Sequence, residues 1–389
     1  MSNSHFASNP MTNPKVRRLT VQIGLALVLI LLGYLIFENV AANLRRTNIN
    51  SCFAFLRGRA GFEIAQPLIP YTGDSTYARA LFVGLLNTML VAISGSITAT
   101  IIGFAVGIGR LSQNWLIAKL CTAYVEVFRN LPPLVVVFFW YLGILQLLPP
   151  PRQSIHLPLG SYLNNRGLTF PAPLWGPGIE AILVGFGLAV VAACMTARWA
   201  RKRQAATGKP FHTIWAGIAL VAALPLLTYF VKGAPLSFDF PLAGTFNLRG
   251  GSVLGPEFLS LYLALSFYTA SYIAEIVRSG INGVPRGQSE AAKALGLGQS
   301  AITRLVIIPQ AFRIIIPPLT SQYLNLTKNS SLAIAVGFSD LVAVGGTTLN
   351  QTGQAVEIIV IWMVCYLGLS VMISISMNWF NAKMALVER

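Results

Sequence analysis

Residues Val284 to Ala311 read VPRGQSEAAKALGLGQSAITRLVIIPQA. The stretch is too polar to cross a bilayer, yet apolar runs at about 257–277 and 314–336 flank it. Residues 288–295 are good helix formers. Gly296 and Gly298 offer a turn where positive φ costs little. A second short helix is predicted from Gln299 to Val306, after which Pro309 opens the next span. The expectation is a helix–turn–helix lying along one membrane face. Ala291, Ala292 and Ala294 carry so little side chain that this backbone can sit deep in a partner's groove. Glu290 offers a carboxylate to a basic group there, and Lys293 and Arg304 can meet acidic ones. An amphipathic helix resting on lipid would need more apolar bulk than this stretch has.

Composition sets the class. Hydrophobic residues make up 54% of the 389 positions and charged residues 10%, against about 25% charged in soluble domains. The apolar runs predict an all-α integral membrane protein with about eight spans, near 20–39, 80–109, 130–149, 178–199, 211–231, 257–277, 314–336 and 355–378. The first follows Lys15, Arg17 and Arg18 and could pass for a signal peptide. Its length and its long leader fit an uncleaved anchor better.

A formal charge of +16 would suggest nucleic acid in a soluble protein. Here the Lys and Arg residues sit mostly in loops beside spans, which reads as topogenic charge that also meets anionic lipid. No aromatic–basic platform supports nucleic-acid binding. With the N-terminus inside, the cytoplasmic segments are the N-tail, 110–129, 200–210, 278–313 and the C-tail. They hold roughly two-thirds of the Lys and Arg residues, as the positive-inside rule requires. The exception is 40–79, where Arg45, Arg46, Arg57, Arg59 and Arg79 fall outside. Cys52, Cys121, Cys194 and Cys365, like His5, His156 and His212, lack metal-site or disulfide spacing.

The span pattern divides the chain into four segments. Residues 1–79 hold the tail, the first span and an outside segment. Residues 80–149 are the first part of a five-span core. Residues 150–256 form an insert with two spans around Arg201-Lys202-Arg203, and 257–389 complete the core. Because the insert has an even number of spans, it does not invert the later ones. Gly103 and Gly107 have the spacing that lets another helix approach closely, although glycine is common in spans generally.

Glu290-Ala291-Ala292, then Gly296, then Val306-Ile307-Ile308-Pro309 resembles the EAA pattern of permease subunits of binding-protein-dependent ABC importers. Val306 and Ile308 are conservative departures from it. Four segments resemble the polar-amino-acid branch: Gly84-Leu-Leu-Asn-Thr88, Tyr124-Val-Glu-Val-Phe-Arg-Asn-Leu-Pro132, Ala274-Glu-Ile-Val-Arg278 and Leu326-Thr-Lys-Asn-Ser-Ser-Leu332. The insert and the extra first span resemble the larger permease subunits of general L-amino-acid transporters. The resemblance implies a coupling loop, 284–311, that inserts into a cleft of a separate ATPase dimer carrying ATP and Mg. It implies a second permease subunit, a periplasmic amino-acid-binding protein, and a multi-pass place in the bacterial inner membrane. The cargo would be polar L-amino acids, with glutamate, glutamine and aspartate among them.

Charge inside a span points to function by default. Lys328 lies well inside its span, among Gln322, Asn325, Asn329 and Ser331. Either these residues line a path for a zwitterion, or they hold spans together through hydrogen bonds. On the preceding span Tyr268, Ser271, Tyr272 and Glu275 form a second stripe, although Glu275 and Arg278 can simply pair at i, i+3. Glu126 and Arg129 look like another rim pair. The chain has no G-x-x-x-x-G-K-[ST] loop, and Gly208-Lys209-Pro210 holds its only Gly-Lys. ATP chemistry must therefore come from another chain. An ion-coupled secondary amino-acid transporter is the competing reading, but it would give the docking loop no purpose and no inverted repeat is visible. No cluster with catalytic spacing suggests a membrane enzyme.

Overall fold

In the computed structural model, residues 14–46, 53–208, 211–233, 236–244 and 247–384 are described. His5, Cys52, Lys209 and Pro210 lie outside them. Twelve α-helices run through the described residues, in the order α1 (Pro14–Arg46), α2 (Tyr77–Gly109), α3 (Trp115–Asn130), α4 (Pro133–Phe138), α5 (Ile179–Thr207), α6 (Thr213–Val231), α7 (Pro256–Asn282), α8 (Arg286–Ala294), α9 (Gln299–Ile302), α10 (Ile308–Asn329), α11 (Leu341–Thr352) and α12 (Ala355–Met384). Among the described residues, five helical stretches are long and apolar enough to span a membrane: Tyr77–Gly109, Ile179–Gln204, Pro256–Asn282, Gln299–Val336 and Ala355–Ala382. Shorter apolar stretches, Leu19–Leu35 and Trp215–Val231, lie in α1 and α6. Every expected span thus falls on a helix, but two have a different form.

The span expected at 130–149 is one arm of a broken pair. Helix α3 meets the helix of Pro133–Leu145 at 111°. Leu131 and Pro132 are extended, with ψ of 140° and 139°. A proline removes a donor and disfavours α geometry in the residue before it, so Pro132-Pro133 ends α3. The loop expected at 110–129 is accordingly mostly helix. Beyond α4 the chain widens to a π-helix, Phe139–Leu145.

The second difference is continuity through Pro309. Helix α9 passes through a π-helical stretch, Thr303–Ile307, straight into α10. The N–H of Ile308 bonds the carbonyl of Thr303. A widened turn relieves the crowding that the Pro309 ring imposes on the turn before it.

The chain divides into two compact units, residues up to Thr88 with Ser339–Ile375, and Met89–Phe338 with the stretch from Ser376. In the first unit, Ala60, Ile64, Tyr71, Ala80, Leu81, Val83, Leu341, Val344 and Ile358 form the core. Two of the arginines that broke the charge rule, Arg59 and Arg79, serve local structure here. Arg59 pairs with Asp74 at 2.6 Å. Arg79 donates through Nε and Nη2 to the carbonyl of Pro70 at 2.8 and 2.5 Å. The segment Gly84-Leu-Leu-Asn-Thr88 latches a corner. Asn87 Nδ2 donates to the Ser339 carbonyl at 2.9 Å, and Thr88 Oγ1 accepts from the Leu341 amide at 3.1 Å. Asp340 Oδ1 caps α11 by accepting from the Ala343 amide. Thr88→Val leaves a buried N–H unmatched and is expected to cost about 1–3 kcal/mol. The melting temperature of the purified chain reports it, with exposed Thr347→Val, whose hydroxyl only bonds its own helix, as the silent control.

In the second unit α7 is central and heavily buried. It packs on α10, α3 and α4. A Cβ at Gly103 would lie 2.6 Å from Ile273 Cβ, and one at Gly107 would lie 2.7 Å from the Ala274 carbonyl oxygen. The pair of glycines is therefore a true close crossing. Gly107→Leu is expected to destabilise by about 1–3 kcal/mol, the usual cost of overpacking. A matching fall in melting temperature checks it, and Gly187→Leu, where a Cβ meets nothing within 4 Å, should leave the midpoint unchanged.

Helices α5 and α6 form a hairpin, with Gly185 tight against Thr228. Short strands flank it, where the sequence reads as loops. A four-stranded antiparallel sheet pairs Ile155–Leu157 with Ser161–Asn164, that strand with Gly167–Phe170, and Gly167–Phe170 with Ser252–Leu254. Ribbons pair Ala172–Trp175 with Leu236–Asp239 and Leu242–Ala243 with Leu248–Arg249.

Candidate functional site: a docking helix and a polar membrane face

Helix α8 falls where the composition predicts it. Ala292 is its buried residue, and Val284 and Ile302 are buried on either side. The Gly296 amide bonds the Lys293 carbonyl at 2.9 Å, and Leu297 bonds Ala292 at 3.2 Å. Gly296 has φ +75°, the left-handed turn that favours glycine, whereas Gly298 precedes α9 with an ordinary φ of −69°. Gln310 Nε2 donates to Gln288 Oε1 at 3.1 Å and ties the first turn of α8 to the start of α10.

With Ala292 turned inward, Gly287, Glu290, Ala291 and Ala294 are all exposed. Their i, i+3, i+4 and i+7 spacing places them on one face. Glu290 crowns a surface with almost no side-chain height. Lys293 and Arg304 are exposed and form no ion pair among the described residues. Pro309 is half-buried at the start of α10. Leu295 at 81% and Leu305 at 65% exposure flank the small-residue face. Neither stands out in the sequence, because an isolated Leu in a short helix looks like core.

On α10 the buried side is Ala311, Ile315, Ile316, Leu319 and Leu326. Ser321, Asn325 and Lys328 are exposed at i, i+4 and i+7, while Gln322 and Asn329 are half-buried beside them. Lys328 therefore belongs with Ser321 and Asn325. It has no carboxylate within 4.0 Å among the described residues. Half-buried Ser331 donates to the Lys328 carbonyl at 2.8 Å, where α10 gives way to a 3-10 turn. Tyr323 bonds Thr100 at 2.8 Å.

On α7 Glu275 is bound by three arginines. Arg110 donates through Nη1 to Oε2, and Arg278 through Nη2 to Oε1 at 2.5 Å. Arg129 Nη1 lies 3.7 Å from Oε2. The i, i+3 pair with Arg278 agrees with the spacing in the sequence, but Arg129 faces Glu275 where Glu126 is the expected partner. Arg110, whose side chain is 8% exposed, has no local signal that would single it out. Tyr272 and Tyr268 join their hydroxyls at 3.0 Å, and the Arg129 guanidinium stands 5.4 Å from the Tyr272 ring centre. No group of three or more metal-ligating side chains converges among the described residues.

A membrane protein of packed helices that offers a low-relief helix between two spans fits a transport-system membrane component. Residues 185–386 match the family described as binding-protein-dependent transport system inner membrane component, and the chain belongs to that family. It is 66% identical over 379 residues to the general L-amino acid transport system permease protein AapQ of Rhizobium johnstonii, covering 97% of this chain and 95% of that one. It is 40% identical to the glutamate/glutamine/aspartate/asparagine transport system permease protein BztB of Rhodobacter capsulatus, covering 96% and 95%. It is 27% identical to the glutamate/aspartate import permease protein GltJ of Escherichia coli, covering 81% and 91%.

Proposed function

We propose that this chain is the permease subunit of an ABC importer that carries polar L-amino acids, glutamate, glutamine and aspartate among them, across the bacterial inner membrane. The carrying observation is the face of α8, with Glu290 set among the small residues Gly287, Ala291 and Ala294 and with exposed Leu295 and Leu305 at its flanks. Such a face is an insert for a cleft in another protein. The partner is an ATPase dimer that holds ATP and Mg, since the chain lacks a phosphate-binding loop. Closure of the ATPase moves α8. The Gln288–Gln310 bond and the continuous helix from α9 into α10 carry that movement to the polar face of Ser321, Asn325 and Lys328. That face is too costly to leave in hydrocarbon. A second permease subunit covers it, with a hydrated path between the two.

Residues 80–149 and 257–389 supply the core machinery, 150–256 an insert, and 1–79 an added helix and an outside segment. Both termini lie in the cytoplasm. A periplasmic amino-acid-binding protein delivers substrate from the opposite side. The names of AapQ, BztB and GltJ support the amino-acid cargo. The test is reconstitution of the tagged chain, its co-purifying partners and the binding protein in liposomes. Labelled L-glutamate should accumulate only with ATP on the α8 side and should be competed by neutral and acidic L-amino acids. Accumulation that tracks an ion gradient without ATP defeats the proposal.

A further inference from the structure

We propose that Arg129 is a carboxylate-binding group of the translocation path, with Glu275 as its positioning residue and Tyr272 as its platform. The proposal rests on the permease reading. Its basis is how the charges around Glu275 are used. Both carboxylate oxygens already accept close hydrogen bonds, Oε2 from Arg110 and Oε1 from Arg278. Arg129 arrives third, and 3.7 Å is beyond hydrogen-bond length. Glu275 therefore steers the Arg129 guanidinium without consuming its donors.

Three guanidiniums face one carboxylate, and no second carboxylate lies within 4.0 Å of them among the described residues. A net charge of about +2 is left at the site. Arg110 is sealed in and Arg278 is spent on Glu275. The Arg129 side chain is 41% exposed. It sits in the last turn of α3, before the Leu131-Pro132 break. The ring of Tyr272 lies under it, and the Tyr268 hydroxyl holds the Tyr272 hydroxyl. A planar cation fixed on an aromatic face with donors outward suits two-point recognition of a carboxylate. The carboxylate common to all free amino acids is such a group. Hydrocarbon is excluded as its environment by cost, so water or substrate must reach it.

The test uses the purified importer in nanodiscs that contain phosphatidylglycerol, without binding protein. Equilibrium binding of labelled L-glutamate and L-glutamine is measured. Arg129→Gln should weaken both by roughly 10- to 100-fold, the scale of a lost charged hydrogen bond. Arg129→Lys should fall between, because it keeps charge but loses the fork. Tyr272→Leu, which removes the ring, should weaken binding more than Tyr272→Phe, which keeps the ring and loses only the hydroxyl contact with Tyr268. The α-methyl ester of glutamate should compete at least about tenfold worse than glutamate. Wild-type binding by Arg129→Gln, equal competition by the ester, or no binding to the wild type at millimolar ligand would each overturn the proposal. So would loss of function on removing phosphatidylglycerol with substrate affinity unchanged in Arg129→Gln, which would mark a lipid-phosphate site. ATP-driven uptake by the wild type is measured alongside. Its absence defeats the permease reading, whereas uptake indifferent to Arg129 defeats this inference alone.

Discussion

Glu290→Arg is expected to abolish ATP-driven uptake and to strip the ATPase from the purified chain, while the chain still enters the membrane and melts at the wild-type temperature. Glu290 is exposed and makes no ion pair within the chain among the described residues. Arginine is as good a helix former as glutamate, so α8 should survive with a change within about 0.5 kcal/mol. The interface should not survive. A carboxylate on a flat Ala/Gly face marks where the partner must place a basic group, and reversing it sets like charges together at a cost of several kcal/mol. Glu290→Gln, which only removes the charge, should weaken the complex about 10- to 100-fold, the worth of one charged hydrogen bond. Pull-down of the ATPase and initial uptake rates measure both effects. Full uptake by Glu290→Arg would show that α8 is not the docking surface.

This surface is legible in the sequence because its chemistry is local. A run of helix formers with Ala at 291, 292 and 294, closed by Gly296, fixes both the helix and its low relief within nine residues. The spans are legible for the same reason, since each apolar run reports its own burial in lipid. The α3–α4 bend is harder to read. Helix α3 carries Lys119, Glu126 and Arg129, which lower its apolarity, and Pro132-Pro133 reads as the start of a span without showing that a second helix ends sharply just before it. Helix α11 is rich in Gly and Thr, poor formers that tertiary contacts override. Asp340 caps it, and Gly345 leaves no room for a Cβ against the Trp362 indole. The strands are at most four residues long and interrupted by Pro and Gly, so no alternation can develop. The arginine cluster lies beyond reach for another reason. Arg110 and Glu275 are 165 positions apart, and only the close Gly107 crossing of α2 on α7 brings that turn to Glu275.

Because three guanidiniums converge on it, Glu275 is where a single change should leave the most charge uncompensated. Glu275→Gln keeps the shape but removes the charge. Arg110, 8% exposed, then has no counter-charge, and its Nε already lacks a partner. Removing one member of a buried pair typically costs about 3–5 kcal/mol. Arg129 and Arg278 are each more than a third exposed and can turn to water. A loss of roughly 2 kcal/mol is therefore the expected scale. The purified chain should melt several degrees lower, and α3 should loosen from α7, seen as faster amide exchange around Tyr124, whose hydroxyl bonds the Phe267 carbonyl at 2.6 Å. The discriminating variant is the double, Glu275→Gln with Arg110→Gln. If the damage comes from an orphaned buried cation, removing that cation should recover much of the lost stability. A purely steric role for Glu275 would make the double worse than the single. Added salt separates the two cases further. An exposed cluster would be screened within about 10 Å at 0.1 M, whereas the Arg110–Glu275 pair, closed in by α2 and α7, should keep its contribution up to half-molar salt.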